Sequence, residues 1–189
     1  MAEIAVAHTP AADAAPKDHI ASLAGQLRHA STGTLARLRR FHPLQHPQAS
    51  LFDAERLLQA AHVVLRPDDA DRARWALLLH CLALAQGAHE PRADAEPGAV
   101  LARLRFSEAR VRQLVEADEQ VLAALLPRLA RRLAAAGAAV NWWPLAQMLL
   151  HTASADPSRQ ALADAARQRI VRHYVAAQSR AAAAAVPEA

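Results

Sequence analysis

Ten histidines, a single cysteine at Cys81 and three aspartates at Asp68, Asp69 and Asp71 are the residues of this chain best suited to bond-making chemistry. Their spacing does not assemble them. His42 and His46 stand four apart, as a metal-binding pair on one helix would, but Pro43 interrupts that helix. No carboxylate or cysteine stands nearby as a third ligand. The aspartates open an apolar run, where carboxylates complement the positive end of a helix, and this reading is preferred to a cation site. His80 and Cys81 are adjacent within a helical stretch, so their side chains diverge by about 100° and form no catalytic dyad. His151 and His173 have no nucleophile in a recognisable pattern. A glycine-rich phosphate loop, a GxSxG elbow and an HExxH pair are all missing from the sequence. The chain is therefore read as having no catalytic residue, no metal ligand and no cofactor.

The arginines carry a different chemistry. Within residues 101–150, Leu114, Leu122, Leu125, Leu129 and Leu133 fall near helical spacing. One face can then be buried while Arg128, Arg131 and Arg132 project elsewhere. Formal net charge is only +4, and Lys17 is the sole lysine among 22 basic residues. Placement says more than total. Positive charge gathers at 17–45, 98–132 and 159–180, and residues 50–97 are net acidic. Such a split suits a basic face for a polyanion and a neutral or acidic face for protein neighbours.

These residues must be positioned by helices. The pattern predicts helices near 17–30, 33–41, 50–65, 69–86, 98–105, 107–118, 119–136, 142–151 and 157–179. Ser107 is read as an N-cap, Ser50 with Asp53 as a capping box, and Gly137 as a break. Asn141 is read as the cap of a helix that tolerates Pro144 in its first turn, and Asp156–Pro157 as a helix opening. Trp75 and, of the pair Trp142–Trp143, Trp142 are assigned to the core. At 189 residues, 53% hydrophobic, with five glycines and no sustained alternating run, the chain is expected to be all-α. Either one compact bundle or two small helical subdomains would satisfy the pattern. A helical domain is expected at 17–180, with disordered tails at 1–16 and 181–189. A lone cysteine excludes internal disulfides, and no apolar run reaches about twenty residues. The reading is of a soluble cytoplasmic protein with no membrane partner.

The order of segments adds to this. STGTLARLRRFHP is followed by RWALLLHCLALAQG, GAVLARLRFSEARVRQLVEAD, LLPRLARRL, VNWWPLAQMLL and RIVRHYV. Over about residues 17–176 this series resembles the small subunit of the type I-E CRISPR surveillance complex, the CasB family of Cascade. The sequence departs from the family pattern at His151 and Thr152, where tryptophans are common, and in keeping only Tyr174, after His173, of a terminal aromatic pair. The resemblance implies a helical protein without nuclease activity. Its partners would be a second copy of itself, the Cascade backbone and large subunits, the CRISPR guide RNA and the target DNA. It also implies that Arg39, Arg40, Arg110, Arg128, Arg131 and Arg132 meet nucleic-acid backbone and stabilise the opened target and the displaced strand. Two other classes fit the residues alone: a helical DNA-binding regulator, and a structural adaptor whose arginines bind acidic protein surfaces.

Overall fold

The structure is a computed structural model that describes residues 16–46, 48–65 and 69–184. Its described part consists of α1 (Pro16–His29), α2 (Thr32–Arg40), α3 (Leu51–Ala60), α4 (Asp69–Leu84), a 3₁₀ turn (Ala93–Ala95), α5 (Pro97–Arg103), α6 (Glu108–Val115), α7 (Glu119–Ala135), α8 (Trp142–His151) and α9 (Pro157–Ala184). No strand occurs among these residues, apart from one isolated bridge between His89 and Val140. The all-α expectation holds.

Helix α4 explains the architecture. From Trp75 to Leu84 its sequence, His80 apart, is apolar on all sides, and a helical stretch of that kind must be surrounded. Leu77, Leu78, Leu79, His80, Cys81 and Leu82 are buried, and α1, α2, α3, α7 and α8 pack around it. A single continuous apolar cluster extends from Ile20 in α1 to Tyr174 in α9. Between the two arrangements the pattern allowed, the structure forms one core. Trp75 and Trp142 belong to it, and the Trp142 indole donates to the Ala88 carbonyl at 3.1 Å.

Helix ends show which local signals acted. Asn141 accepts from the Trp143 amide, and Asp156 accepts from the Ser158 amide ahead of the long α9, both as the sequence indicates. Ser107 occupies the N-cap position of α6 without a side-chain capping bond. Ser50 makes no such bond either, so the expected capping box does not form. Its carboxylate partner Asp53 instead receives Arg37 from α2 at 2.6 and 3.0 Å, because a charged two-pronged bond outweighs a neutral cap. Asp118, unassigned from sequence, caps α7 through the Val121 amide at 2.8 Å. Helix α3 stops at Ala60 and not near residue 65. His62 there adopts φ 55°, and the Val63 amide reaches back to the Leu58 carbonyl, which is a Schellman closure. At the other end of the chain α9 runs to Ala184. It therefore extends into the alanine-rich stretch expected to be disordered from 181, as the high helix propensity of alanine allows. Of the two expected tails, residues 1–15 and 185–189 lie outside the described residues.

Candidate nucleic-acid interface

The α5–α6 turn and the end of α6 are held by a frame anchored on α9. Arg167 donates to the Val115 carbonyl at 2.8 Å, to the Ala117 carbonyl at 3.3 Å and to Thr152 Oγ1 at 2.9 Å. It thereby satisfies carbonyls at the end of α6, which have no helical partner of their own, and ties α6 to the end of α8. Thr152, one of the departures from the family pattern, thus has a structural role. Arg169 grips Glu96 with two bonds of 2.7 Å, and Asn141 donates to the same carboxylate at 2.8 Å. Glu96 is buried at the amino end of α5, where its charge suits the helix dipole. Tyr174 then donates to the Phe106 carbonyl at 2.6 Å and so sets the turn between α5 and α6.

This frame opens a recess of about 320 Å³ between the α5–α6 turn, α6 and α7. Its inner wall is apolar, made of Leu101, Leu114, Leu125 and Leu129. Around it stand Arg110 from α6 and Arg128 and Arg132 from α7, all three exposed. Arg128 and Arg132 share a face because they are one turn apart. The Arg132 guanidinium lies over the Phe106 ring, 4.7 Å from its centroid, in cation–π geometry. Among the described residues, no ion pair uses Arg110, Arg128, Arg131 or Arg132. Three acids of this region are engaged elsewhere, Asp118 in its cap, Glu119 with Arg74 and Glu108 with Arg112, and the exposed Glu116 is in no ion pair among the described residues.

Arg131 is separated from this group. It follows Arg128 by three residues and lies about 100° around α7 from Arg132. It does not line the recess, and its charge acts on His80 and Cys81 of α4. Arg39 is also placed against α4, with its Nε donating to the Ala83 carbonyl at 2.8 Å. That bond staples α2 to α4 together with a second one, from His80 Nδ1 to the Leu38 carbonyl at 2.6 Å. Arg40 is exposed and 6.0 Å from the Phe41 ring centroid. Of the six arginines singled out by sequence, the structure brings Arg110, Arg128 and Arg132 together at one recess and leaves Arg39, Arg40 and Arg131 outside it.

Phe106 and Gln113 complete the recess and were not singled out by sequence. A readable signal existed for Phe106, since an apolar residue directly before an N-cap is commonly held at the helix entry. The groups first considered for chemistry have other roles. Burial pushes the Cys81 thiol far up and His80 down, which disfavours both a thiolate and a charged imidazole at this pair. His42 reaches the Ala123 carbonyl at a long 3.4 Å. That carbonyl lacks its usual helical donor because Pro127, four residues on, has no amide hydrogen. Asp68 lies outside the described residues, and Asp71 is buried near His151. No cluster of three metal-binding side chains occurs among the described residues. No described helix is long and apolar enough to cross a membrane.

Fold and site together define an all-helical protein that presents unneutralised guanidinium groups around a partly apolar recess. Residues 34–174 match the family of CRISPR-associated protein Cse2. The match takes in about three quarters of the chain and every arginine of the recess, and the chain belongs to that family, the small subunits of type I-E Cascade. It begins at Thr34, later than the resemblance read from the segments, so α1 lies outside it although Ile20, Leu23 and Leu27 are part of the core. No curated protein and no solved structure matches the chain.

Proposed function

We propose that this Cascade subunit is non-catalytic and grips nucleic-acid backbone, stabilising the guide RNA–target DNA R-loop and the displaced strand in the cytoplasm. The observation that carries the reading is the convergence of Arg110, Arg128 and Arg132 at one recess with no carboxylate paired to them among the described residues. Guanidinium groups left without internal counterions attract phosphates and release the cations condensed on them. Such contacts carry no sequence information. Specificity is left to base pairing by the guide. Exchanging a DNA duplex for an RNA–DNA duplex is nearly balanced in energy, so a few arginine–phosphate contacts suffice to bias it. The partners in this reading are a second copy of the chain, the backbone and large Cascade subunits, the guide RNA and the target DNA.

The test is the double substitution Arg110→Ala with Arg128→Ala in the assembled complex. Both residues are exposed and neither makes an ion pair among the described residues, so folding should be unaffected. Target-DNA retention should fall while guide loading is unchanged. The slope of log affinity against log salt should flatten by about 0.7–0.9 for each phosphate that the variant no longer neutralises. An unchanged slope with impaired assembly would show that these arginines bind protein, and the adaptor reading would replace this one.

A further inference from the structure

Backbone neutralisation does not account for the interior of the recess. Phosphates are met at exposed guanidiniums and need no apolar cavity behind them. Here the three arginines surround a pocket walled by Leu101, Leu114, Leu125 and Leu129, and one guanidinium is laid on an aromatic ring. A volume of about 320 Å³ is at the lower end of small-ligand pockets, which span about 300–1,000 Å³. A ligand suited to the recess therefore combines a small apolar body with adjoining negative charge.

We propose that the recess is a binding site for one unstacked nucleobase of single-stranded nucleic acid, seated on the Arg132 guanidinium that Phe106 supports. The inference rests on the backbone-binding reading and deepens it. Unpaired bases are recognised by stacking on aromatic rings or on guanidinium planes. Phe106 holds the Arg132 guanidinium over its ring, 4.7 Å from the centroid, and in this proposal the base stacks on the guanidinium as well. The leucines line the pocket that the base enters. The amide of Gln113, on α6 at the same pocket, can donate to or accept from the base edge. Arg110 and Arg128 then meet the phosphates on either side of the extruded nucleotide. Paired bases within a duplex are stacked on both faces and cannot enter. The site thus selects a strand whose bases have been separated, such as the one displaced when a target opens. The frame described above keeps the pocket in shape, because Tyr174 holds the Phe106 carbonyl and Arg167 holds the end of α6.

The experiment compares binding of the purified full-length protein to a fluorescein-labelled oligodeoxyadenylate and to an abasic strand of equal length and charge. Stacking of one base is worth about a fivefold gain in affinity or more, so the wild type should bind the adenylate strand at least about fivefold more tightly. Phe106→Leu should bring the ratio of the two affinities close to one while the salt slope stays as it was. Arg132→Lys keeps the charge and removes the plane, and should do the same even if the Phe106 variant folds poorly. A circular dichroism melt of each variant identifies any loss of fold. Equal binding of both strands by the wild type would overturn the base site and leave backbone binding in place. A preference for bases that survives both substitutions would also overturn it. Failure to bind either strand at low salt would overturn the base site and the backbone reading together.

Discussion

Replacing Gly98 by alanine tests the helix crossing on which the recess depends. Gly98 sits in the first turn of α5, against the backbone of α9. A β-carbon there would lie 2.0 Å from the Ile170 carbonyl oxygen and 2.5 Å from the Tyr174 amide nitrogen. Both are backbone atoms of a long helix and cannot rotate away as a side chain would. Overpacking by one methyl group ordinarily costs about 1–3 kcal/mol, and an approach this short against a fixed backbone belongs at about 3 kcal/mol or above. Alanine also gains up to about 1 kcal/mol over glycine in helix propensity. The net destabilisation is then at least about 2 kcal/mol. For a chain of this length, that lowers the melting temperature by about 4–8 °C. The control is Gly25→Ala in α1, where a β-carbon meets nothing within 4 Å. It should raise the melting temperature by a few degrees, since propensity acts there without opposition. Both variants are read by thermal denaturation followed by circular dichroism. If Gly98→Ala melts at or above the wild-type temperature, α5 and α9 do not cross in the described contact, and the placement of Phe106 through Tyr174 loses its basis.

Two further outcomes follow from the side chains around α4. Arg39→Ala removes a charged donor from the Ala83 carbonyl and should cost about 1–2 kcal/mol after allowance for partial exposure, whereas Arg40→Ala should leave the urea midpoint unchanged; equal midpoints for the two variants would show that Arg39 is not a staple. His80, His89 and His151 are all held below the ordinary value of 6.5, chiefly by burial. The unfolded chain therefore binds more protons as pH falls below about 6.5. Stability should be fully present above that value and decline as pH drops from it toward the lower folded values, and His80→Gln should reduce the decline; a urea midpoint that does not change across this window would refute the burial.

What depends on local physics was legible in the residues alone. The helices follow from apolar periodicity, and α4 is central because its stretch from Trp75 to Leu84, apolar on nearly all faces, must be enclosed. Asn141 and Asp156 cap because the bonds they make span only two residues. The arginine-bearing faces of α6 and α7 were legible for the same reason, as was family membership from the order of segments. The remaining features depend on how the helices pack. Helices α3, α4, α5 and α7 all close with the same backbone bond, from residue i to the carbonyl five before it. Gly137 advertises such a closure, but His62, Gln86 and Arg105 adopt positive φ without being glycine, and no local pattern reveals that. Asp53 could cap its own helix or pair with Arg37, and only the approach of α2 settled the choice. Arg128, Arg131 and Arg132 look equivalent on one helix. They are distinguished by what lies opposite: Phe106 and Arg110 for two of them, His80 and Cys81 for the third. The recess itself joins residues from Leu101 to Arg132 and is held by bonds from α9. Contacts over such separations depend on how whole helices cross, and at Gly98 on a missing β-carbon that permits one crossing.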